Sequence, residues 1–586
     1  MRVTTAAEAA ARDRAAIEAG TPSFGLMLQA GTATASLILR EYADRLADGV
    51  AIFAGVGNNG GDAYVVAAQL ARAGVAVRLY ANGPPRMGDA RRAAALVPER
   101  GVVSMTVLMS VSLSARMTGD ASTSPTMRAT ARVGVVVDGL LGTGHAGVLR
   151  ESVRGACDVM ASLRADGARI IALDIPTGLD ATSGDIADGS VPADCTVCYG
   201  TIKRGVLLQR GHAGRVVLVD IGLGAHADRV GRGERPSGHD GASDETHDAT
   251  HDAPYDDRAW RWLGVSDLAA RVPPIDWNAH KGRRGRVLVA GGEMGMAGAV
   301  VFAARAALLA GAGVVHTLVD TQSVSAVQAL CEAALAHRWP ALDGPSSASG
   351  AVHQATPVGA MREDITVDAV AIGPGLGRSR RSGLVLQHVL ARHRERPMVL
   401  DADALWHAAD AAQTLGIDSA TLLSHWLRDV PRAVCTPHPG EFARLTGAPL
   451  PDAWDERVML LQDFVHRAGV TVLLKGTPTL VASPHTSVPT VVPHGTALLA
   501  TGGSGDCLTG LVATLLAQGM SAHDAAVVGA SVHGCAAEMA TARAGVVRGS
   551  TLDDLLAAIP GVWRALAIPP VTAPYVIAEL PAPALR

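Results

Sequence analysis

Two α/β domains, each built on a parallel sheet, are the prediction for this chain, and three observations make it. At 586 residues the chain exceeds what one hydrophobic core holds. Short, continuously apolar runs alternate with stretches of helical spacing, the pattern of strands buried on both faces under crossover helices. Between residues 225 and 257 the rhythm breaks in a stretch rich in Gly, Asp, His and Thr with almost no large apolar residue. Such a stretch cannot bury enough surface to offset the entropy of ordering. The expected division is a domain at 1–225, a flexible linker at 226–258 and a domain at 259–586.

In the first domain "VAIFAG" is a β-rich run, "GVGNNGGD" (Gly55–Asp62) a glycine loop, "AYVVAAQLARAG" a helix and "VAVRLYA" a second strand. Two parallel strands joined by a helix form a βαβ unit. Three further apolar runs end in polar or glycine residues: "VGVVVDGLLGTG" (Val133–Gly144), "RIIALDIPTGLD" (Arg169–Asp180) and "RVVLVDIGLG" (Arg215–Gly224). Ligands of such sheets bind beyond the carboxyl ends of the strands, where Asn58, Asn59, Asp138 and Asp174 fall. Polar insertions at Thr118–Arg132 and near Asp343–Ala355 read as surface loops.

The second domain resumes with "GRVLVAGG", a helix through Ala299–Ala310, and then "GAGVVHTLVD", "VDAVAIGPGLG", "RPMVLDADAL", "RAVCTPHPGEF" and "TVLLKGTPTLVA". A second glycine loop, "TGGSGDCLTG", opens a helix directly. Its free backbone N–H groups and the positive end of the helix dipole suit a phosphate. Asp506 at that end can accept a proton from a hydroxyl attacking phosphorus. No Lys-Ser/Thr pair follows the glycines, so this is not a Walker loop.

Composition excludes several partners. Aromatics make up only 3% of the chain, too few for base-stacking platforms. A formal charge of −4 supplies no basic field for nucleic acid. Seven scattered cysteines, an odd count, argue for a reducing compartment rather than a disulfide framework. "CTVC" (Cys195–Cys198) lacks the second pair a structural zinc needs and reads as strand. The N-terminus mixes Arg2, Arg12 and Arg14 with Glu8, Asp13 and Glu18, without the apolar run of a secretory signal, and the most apolar windows are broken before they could span a bilayer. A cytoplasmic protein with no membrane association is expected.

Several motifs carry a family resemblance. "HKGRRGRVLVAGGEMGMAGA" (His280–Ala299), "AIGPGLG" (Ala371–Gly377), "LDADAL" (Leu400–Leu405), "TPHPGEF" (Thr436–Phe442) and "LKGTPTLV" (Leu474–Val481) occur in this order. Together they resemble the ADP- or ATP-dependent NAD(P)H-hydrate dehydratases, which have the ribokinase-like fold. The resemblance implies that Ala299, Gly375, His438 and Asp506 contact the hydrated dinucleotide. Lys475, Gly476, Thr477, Pro478, Thr479 and Gly505 would hold ADP, with magnesium, and Asp506 would act as catalytic base.

The first half resembles the NAD(P)H-hydrate epimerases, which are Rossmann-like α/β/α sandwiches. That resemblance rests on "DRAAIEAGTPSFGLMLQAG" (Asp13–Gly31), "GVGNNGGD", "VVDGLLGTG", "LDIPTGLDATSG" (Leu173–Gly184) and "YGTIKRG" (Tyr199–Gly205). It implies a dinucleotide cradle of Asn58, Asn59, Gly60, Gly61 and Asp62 with Gly142, Thr143, Gly144, His145, Ala146, Gly147 and Val148. Asp174 would be the catalytic acid/base beside the nicotinamide, and Asn59, Asp138 and Thr177 would ligate potassium. Ala63, Thr177 and Leu28–Gln29 stand where the family usually has glycine, serine and Glu-Asn.

Both halves in one polypeptide are similar to the bifunctional NAD(P)H-hydrate repair enzymes. This implies NADHX, NADPHX and ADP as partners, with a homo-oligomer expected. The alternative is a vitamin or sugar kinase with a non-catalytic, ligand-sensing N-terminal domain, although "HKG" and "HPGE" are untypical of those kinases.

Overall fold

The computed structural model describes residues 1–86, 88–106, 132–223, 260–340, 365–568 and 573–583. The expected linker (226–258) and the insertions at 118–131 and 343–355 lie outside the described residues. The chain divides into two compact units, Met1–Trp260 with Val571–Pro583, and Arg261–Pro570 with Ala584–Arg586. No helix among the described residues is long and apolar enough to cross a membrane.

The first unit has, in chain order, β1 (Arg2–Thr4), β2 (Val50–Ala54), β3 (Val77–Ala81), β4 (Val102–Thr106), β5 (Val135–Gly139), β6 (Arg169–Leu173), β7 (Cys195–Tyr199), β8 (Ile202–Lys203) and β9 (Arg215–Val219). Its main sheet runs β9-β7-β6-β5-β2-β3-β4, all parallel, and β1 pairs in parallel with β8. Both faces are buried. Ile52 and Val137 enter one apolar core with the helices Ser23–Glu41 and Asn58–Arg72, while Phe53 and Val136 enter another with the helix Glu151–Ala165. That is why these strands read as unbroken apolar runs.

The C-terminal strand Val576–Leu580 pairs antiparallel with β9. It corrects the expected boundary, because residues 571–583 belong with the first unit rather than the second. The reason is edge chemistry: β9 would otherwise present an open row of backbone groups. Val576, Ala578 and Leu580 alternate inward with period two.

The division falls within β10 (Trp260–Arg261), and the second unit adds β11 (Arg286–Ala290), β12 (Val314–Val319), β13 (Leu335–Arg338), β14 (Ala369–Ile372), β15 (Met398–Leu400), β16 (Ala433–Cys435), β17 (Thr471–Leu474), β18 (Thr479–Ala482) and β19 (Thr490–Val492). The order is β13-β12-β11-β14-β15-β16-β17-β18-β19, parallel as far as β17 and antiparallel for the last two, and Arg261 of β10 pairs with Thr490. The helices Ala297–Leu309 and Ser504–Ala517 cross closely enough that a Cβ on Gly510 would meet the Ala303 carbonyl oxygen at 2.0 Å.

Each sheet reverses direction once, between β2 and β5 in the first unit and between β11 and β14 in the second. Such reversals open a crevice at the strand carboxyl ends. In both units glycines let the two flanking loops touch. A Cβ on Gly55 would meet Leu140 O at 1.9 Å, and one on Gly291 would meet Pro374 O at 1.9 Å.

Candidate active sites

At the first reversal lies a cavity of about 800 Å³. The helix Asn58–Arg72 starts directly after the loop that ends β2, so its first turn aims unpaired amides at this space. Asn58, Asn59, Asp62, Gly142 to Ala146, Val148 and Asp174 line it, as the sequence reading expects. Gly60, Gly61 and Gly147 are not on the wall. Gly60 is needed for packing, since a Cβ there would lie 1.9 Å from Gly55 O, and one on Gly61 would lie 2.6 Å from the Met27 side chain. Ala63 is helical and fully buried, and its methyl faces Gly139, where a Cβ would approach it to 2.6 Å. The alanine is accommodated because its neighbour is a glycine.

Asp174 adopts φ +64°, rare for a residue with a Cβ. One carboxylate oxygen accepts the Tyr199 N–H at 3.1 Å and an ion-pair hydrogen bond from Lys203. Beside Asp174 and Asp62, the cavity wall carries Lys203 and Asp13, ionisable groups that sequence alone did not single out as site residues. The Lys203 side chain is 3% exposed and also donates to the carbonyls of Tyr199 and Thr201, both at 3.1 Å. Burial opposes its charge, but Asp174, Cys198 and Asp13 together outweigh burial and raise its pKa. Burial, and then the Asp174 charge, push Asp62 well above the usual carboxylate range. Lys203 was visible in "YGTIKRG", but only β8 and its loop bring it back to Asp174.

Of the three expected cation ligands, Asp138 and Thr177 bond each other directly, and Asn59 is linked to them through Leu141. Asp138 and Thr177 are each 1% exposed. Asp138 accepts the Thr177 hydroxyl at 2.6 Å and its N–H at 2.8 Å, and Thr177 Oγ1 accepts the Leu141 N–H at 3.1 Å. Asn59 Nδ2 donates to Leu141 O at 2.8 Å. Its buried Oδ1 has no hydrogen-bond partner, an orphan that hard-cation coordination would satisfy.

In the second unit the loop Gly373–Gly377 and the start of Ala297–Leu309 form one wall. A Cβ on Gly375 (φ +53°) would lie 2.6 Å from Met296 O and 3.1 Å from the Ala299 Cβ. Gly375 and Ala299 are therefore neighbours. His438 is the N-cap of the helix Pro439–Thr446, its Nδ1 accepting from the amides of Gly440 (3.0 Å) and Glu441 (3.3 Å). The Glu441 carboxylate returns to the His438 N–H at 2.8 Å, closing a capping box. This cap fixes the ring, whose Nε2 lies 3.4 Å from Glu441 Oε1.

Gly503 (φ +96°) turns the chain into the helix Ser504–Ala517, which carries Gly505 and Asp506 in its first turn. Lys475 Nζ donates to Asp401 Oδ1 at 2.7 Å, and Thr509 donates to Asp401 Oδ2 at 2.7 Å. A Cβ on Gly505 would sit 3.0 Å from Lys475 Nζ, so glycine leaves the ammonium room beside that turn. The Lys475 amide donates to Pro437 O at 2.9 Å, joining this strand end to the His438 cap. The following residues, Gly476 to Thr479, turn through a cis Thr477–Pro478 bond, with Thr479 donating to Gly476 O at 3.2 Å. Burial, and then the charge of Asp401, push Asp506 up to about 7, with Asp403 and Glu441 adding to the rise against Lys475. Sequence reasoning missed Asp401, which is 1% exposed, although "LDADAL" contains it.

Comparisons with known proteins agree in both halves. A family described as NAD(P)H-hydrate dehydratase matches residues 287–561, and one described as YjeF-related protein N-terminus matches residues 23–205. A bifunctional NAD(P)H-hydrate repair enzyme from Moorella thermoacetica is 30% identical over 97% of each chain. One from Salinibacter ruber is 34% identical over 96% of each. A Bacillus subtilis ADP/ATP-dependent NAD(P)H-hydrate dehydratase, co-crystallised with ATP and magnesium, is 26% identical over 52% of this chain and 99% of its own, at a TM-score of 0.42.

Proposed function

The chain belongs to the bifunctional NAD(P)H-hydrate repair enzymes, and from that membership we propose how its two sites share the work. It is an epimerase and a dehydratase in one polypeptide, acting on hydrated NADH and NADPH. In the first unit Asp174 is the acid/base that inverts the hydroxylated carbon, held in place by Lys203 and the Tyr199 amide. Asp62, whose pKa burial and then the Asp174 charge raise, faces the same cavity and is the second carboxyl able to exchange a proton. Asn58, Asn59, Asp62 and the loop Gly142 to Val148 hold the dinucleotide. Asn59, Asp138 and Thr177 would hold potassium, which would supply positive charge to this site.

In the second unit Ala299, Gly375 and His438 hold the S hydrate, while Lys475–Thr479 and Gly505 hold ADP. Glu441 would offer a hard oxygen to the magnesium that accompanies a nucleotide. Asp506 takes the proton of the ring hydroxyl as its oxygen attacks the terminal phosphorus, leaving AMP. The phosphorylated oxygen then departs as phosphate and a ring proton is lost, which restores the dihydronicotinamide. The observation that carries this reading is the Asp506 carboxyl, pushed up to about 7 at a glycine-opened helix start beside the Lys475–Asp401 pair.

The test gives mixed hydrate epimers to the whole chain, with and without ADP and potassium. The expected outcome is R/S interconversion without ADP, faster in potassium than in sodium, and full recovery of reduced-nicotinamide absorbance with ADP. Asp174→Ala or Lys203→Met in the same chain should slow interconversion by about 10² or more, so that recovery stops once the S form is used. Accumulation of a stable phosphorylated product would instead identify a kinase.

A further inference from the structure

Away from both sites, three side chains of different chemistry converge in the second unit. His494 follows β19, and Cys535 and Glu538 lie three apart on one face of the helix Ala522–Ala544. One ligating atom from each lies within 4.8 Å of the others, the only such cluster of three among the described residues. Gly534 makes the approach possible, since a Cβ there would meet the Cβ and carbonyl oxygen of His494 at 2.6 Å. The His494 side chain is 6% exposed and Glu538's is 10% exposed.

His494 Nδ1 is buried without a hydrogen-bond partner and stands 3.6 Å from Glu538 Oε2, too far for a normal bond. Glu538 Oε1 accepts the Gly495 N–H at 2.9 Å, and Oε2 faces the ring. An imidazole, a carboxylate and a thiol therefore converge on one point, with the buried imidazole Nδ1 making no hydrogen bond.

We propose that His494, Cys535 and Glu538 bind zinc, or a similar borderline-soft divalent cation. A thiolate and an imidazole select such a metal over magnesium or calcium. Tetrahedral zinc spaces its ligand atoms about 3.4–3.8 Å apart, so a contraction of about 1 Å completes the site. On binding, the Cys535 thiol and the His494 imidazolium, which Cys535 and Glu538 favour against burial, each give a proton to solvent, and the freed sulfur and nitrogen form bonds to the metal. Cys535 is the one half-buried cysteine of the seven, so water can reach the fourth position. The site ties His494 and Gly495, which lead through the turn Ala497–Ala500 into the Asp506 helix start, to the long helix behind it.

The experiment strips the full-length chain with a chelator and titrates it with cobalt(II), then zinc(II). One equivalent of cobalt should give a near-ultraviolet thiolate-to-metal charge-transfer band, which zinc removes. Cys535→Ser should abolish the band and weaken zinc binding at least tenfold. Glu538→Gln should weaken binding while keeping the band, and Cys331→Ser should change neither. A wild-type chain without the band, or a band that survives Cys535→Ser, overturns the proposal.

Discussion

At the scale of single residues, Asp506 makes the sharpest prediction. Its carboxyl is pushed up to about 7 in the folded chain, whereas an unfolded aspartate titrates at 3.8. A general base works deprotonated, so kcat/KM for dehydration should rise with pH through about 7 and level off above it. The stability sign is opposite. The folded state holds this proton more tightly than the unfolded state, so the stability of the second unit falls as pH rises from 3.8 towards 7. Asp506→Asn should therefore cut dehydration by about 10²–10⁴ yet raise the unfolding temperature, by more at pH 8 than at pH 5.5. Equal stabilisation at both pH values would show that Asp506 is not held protonated.

The partners of these carboxylates were the least legible residues. Asp174 and Asp506 stand beside glycine turns that local sequence marks. Lys203 and Asp401 act through contacts made 29 and 74 positions away, and nothing local separates a lysine that folds back onto a carboxylate from one in solvent. His438 lies between the two cases, because "HPGE" marks a site and also spells a capping box.

At the scale of elements, both sites depend on a helix that begins at a sheet reversal, and glycine serves different purposes in different helices. In Asn58–Arg72, alanine at position 60 would have the better helix propensity, but its Cβ would lie 1.9 Å from Gly55 O, which is backbone and cannot yield cheaply. Overpacking outweighs propensity here, and Gly60→Ala should destabilise the first unit by about 1–3 kcal/mol and impair epimerisation. In Glu151–Ala165, a Cβ on Gly155 meets nothing within 4 Å. Gly155→Ala should stabilise the same unit by about 0.5–1 kcal/mol without touching the reaction. Denaturant unfolding of the two variants, followed in the first unit's transition, checks the opposite signs. The strands and these helices were readable because period and glycine placement are local; which glycines are packed and which are free is not.

At the scale of the whole molecule, the C-terminal strand was the element sequence could not place. "VIAEL" is short, and its partner β9 lies more than 350 positions earlier, a pairing no periodicity reveals. Its attachment is specific. Besides the ladder with β9, Arg215 of that strand bonds Glu579 at 2.8 Å, and Arg40 donates to the Tyr575 hydroxyl at 2.9 Å. Residues 1–225 expressed alone would lose these bonds, expose the β9 edge and uncover the surface closed by Val576 and Leu580. Burial of that kind contributes roughly 2 kcal/mol after ordering costs, which corresponds to about 4–8 °C in a domain of ~200 residues. The fragment 1–225 should thus melt lower by that amount than one carrying 573–583 grafted through a Gly/Ser tether, and it should self-associate through the open edge. Thermal unfolding with light scattering distinguishes the outcomes. Identical melting and equal solubility would mean that the last strand is an ornament of the fold, whereas the expected gap makes the chain's final residues part of the epimerase and sets where the two activities can be cut apart.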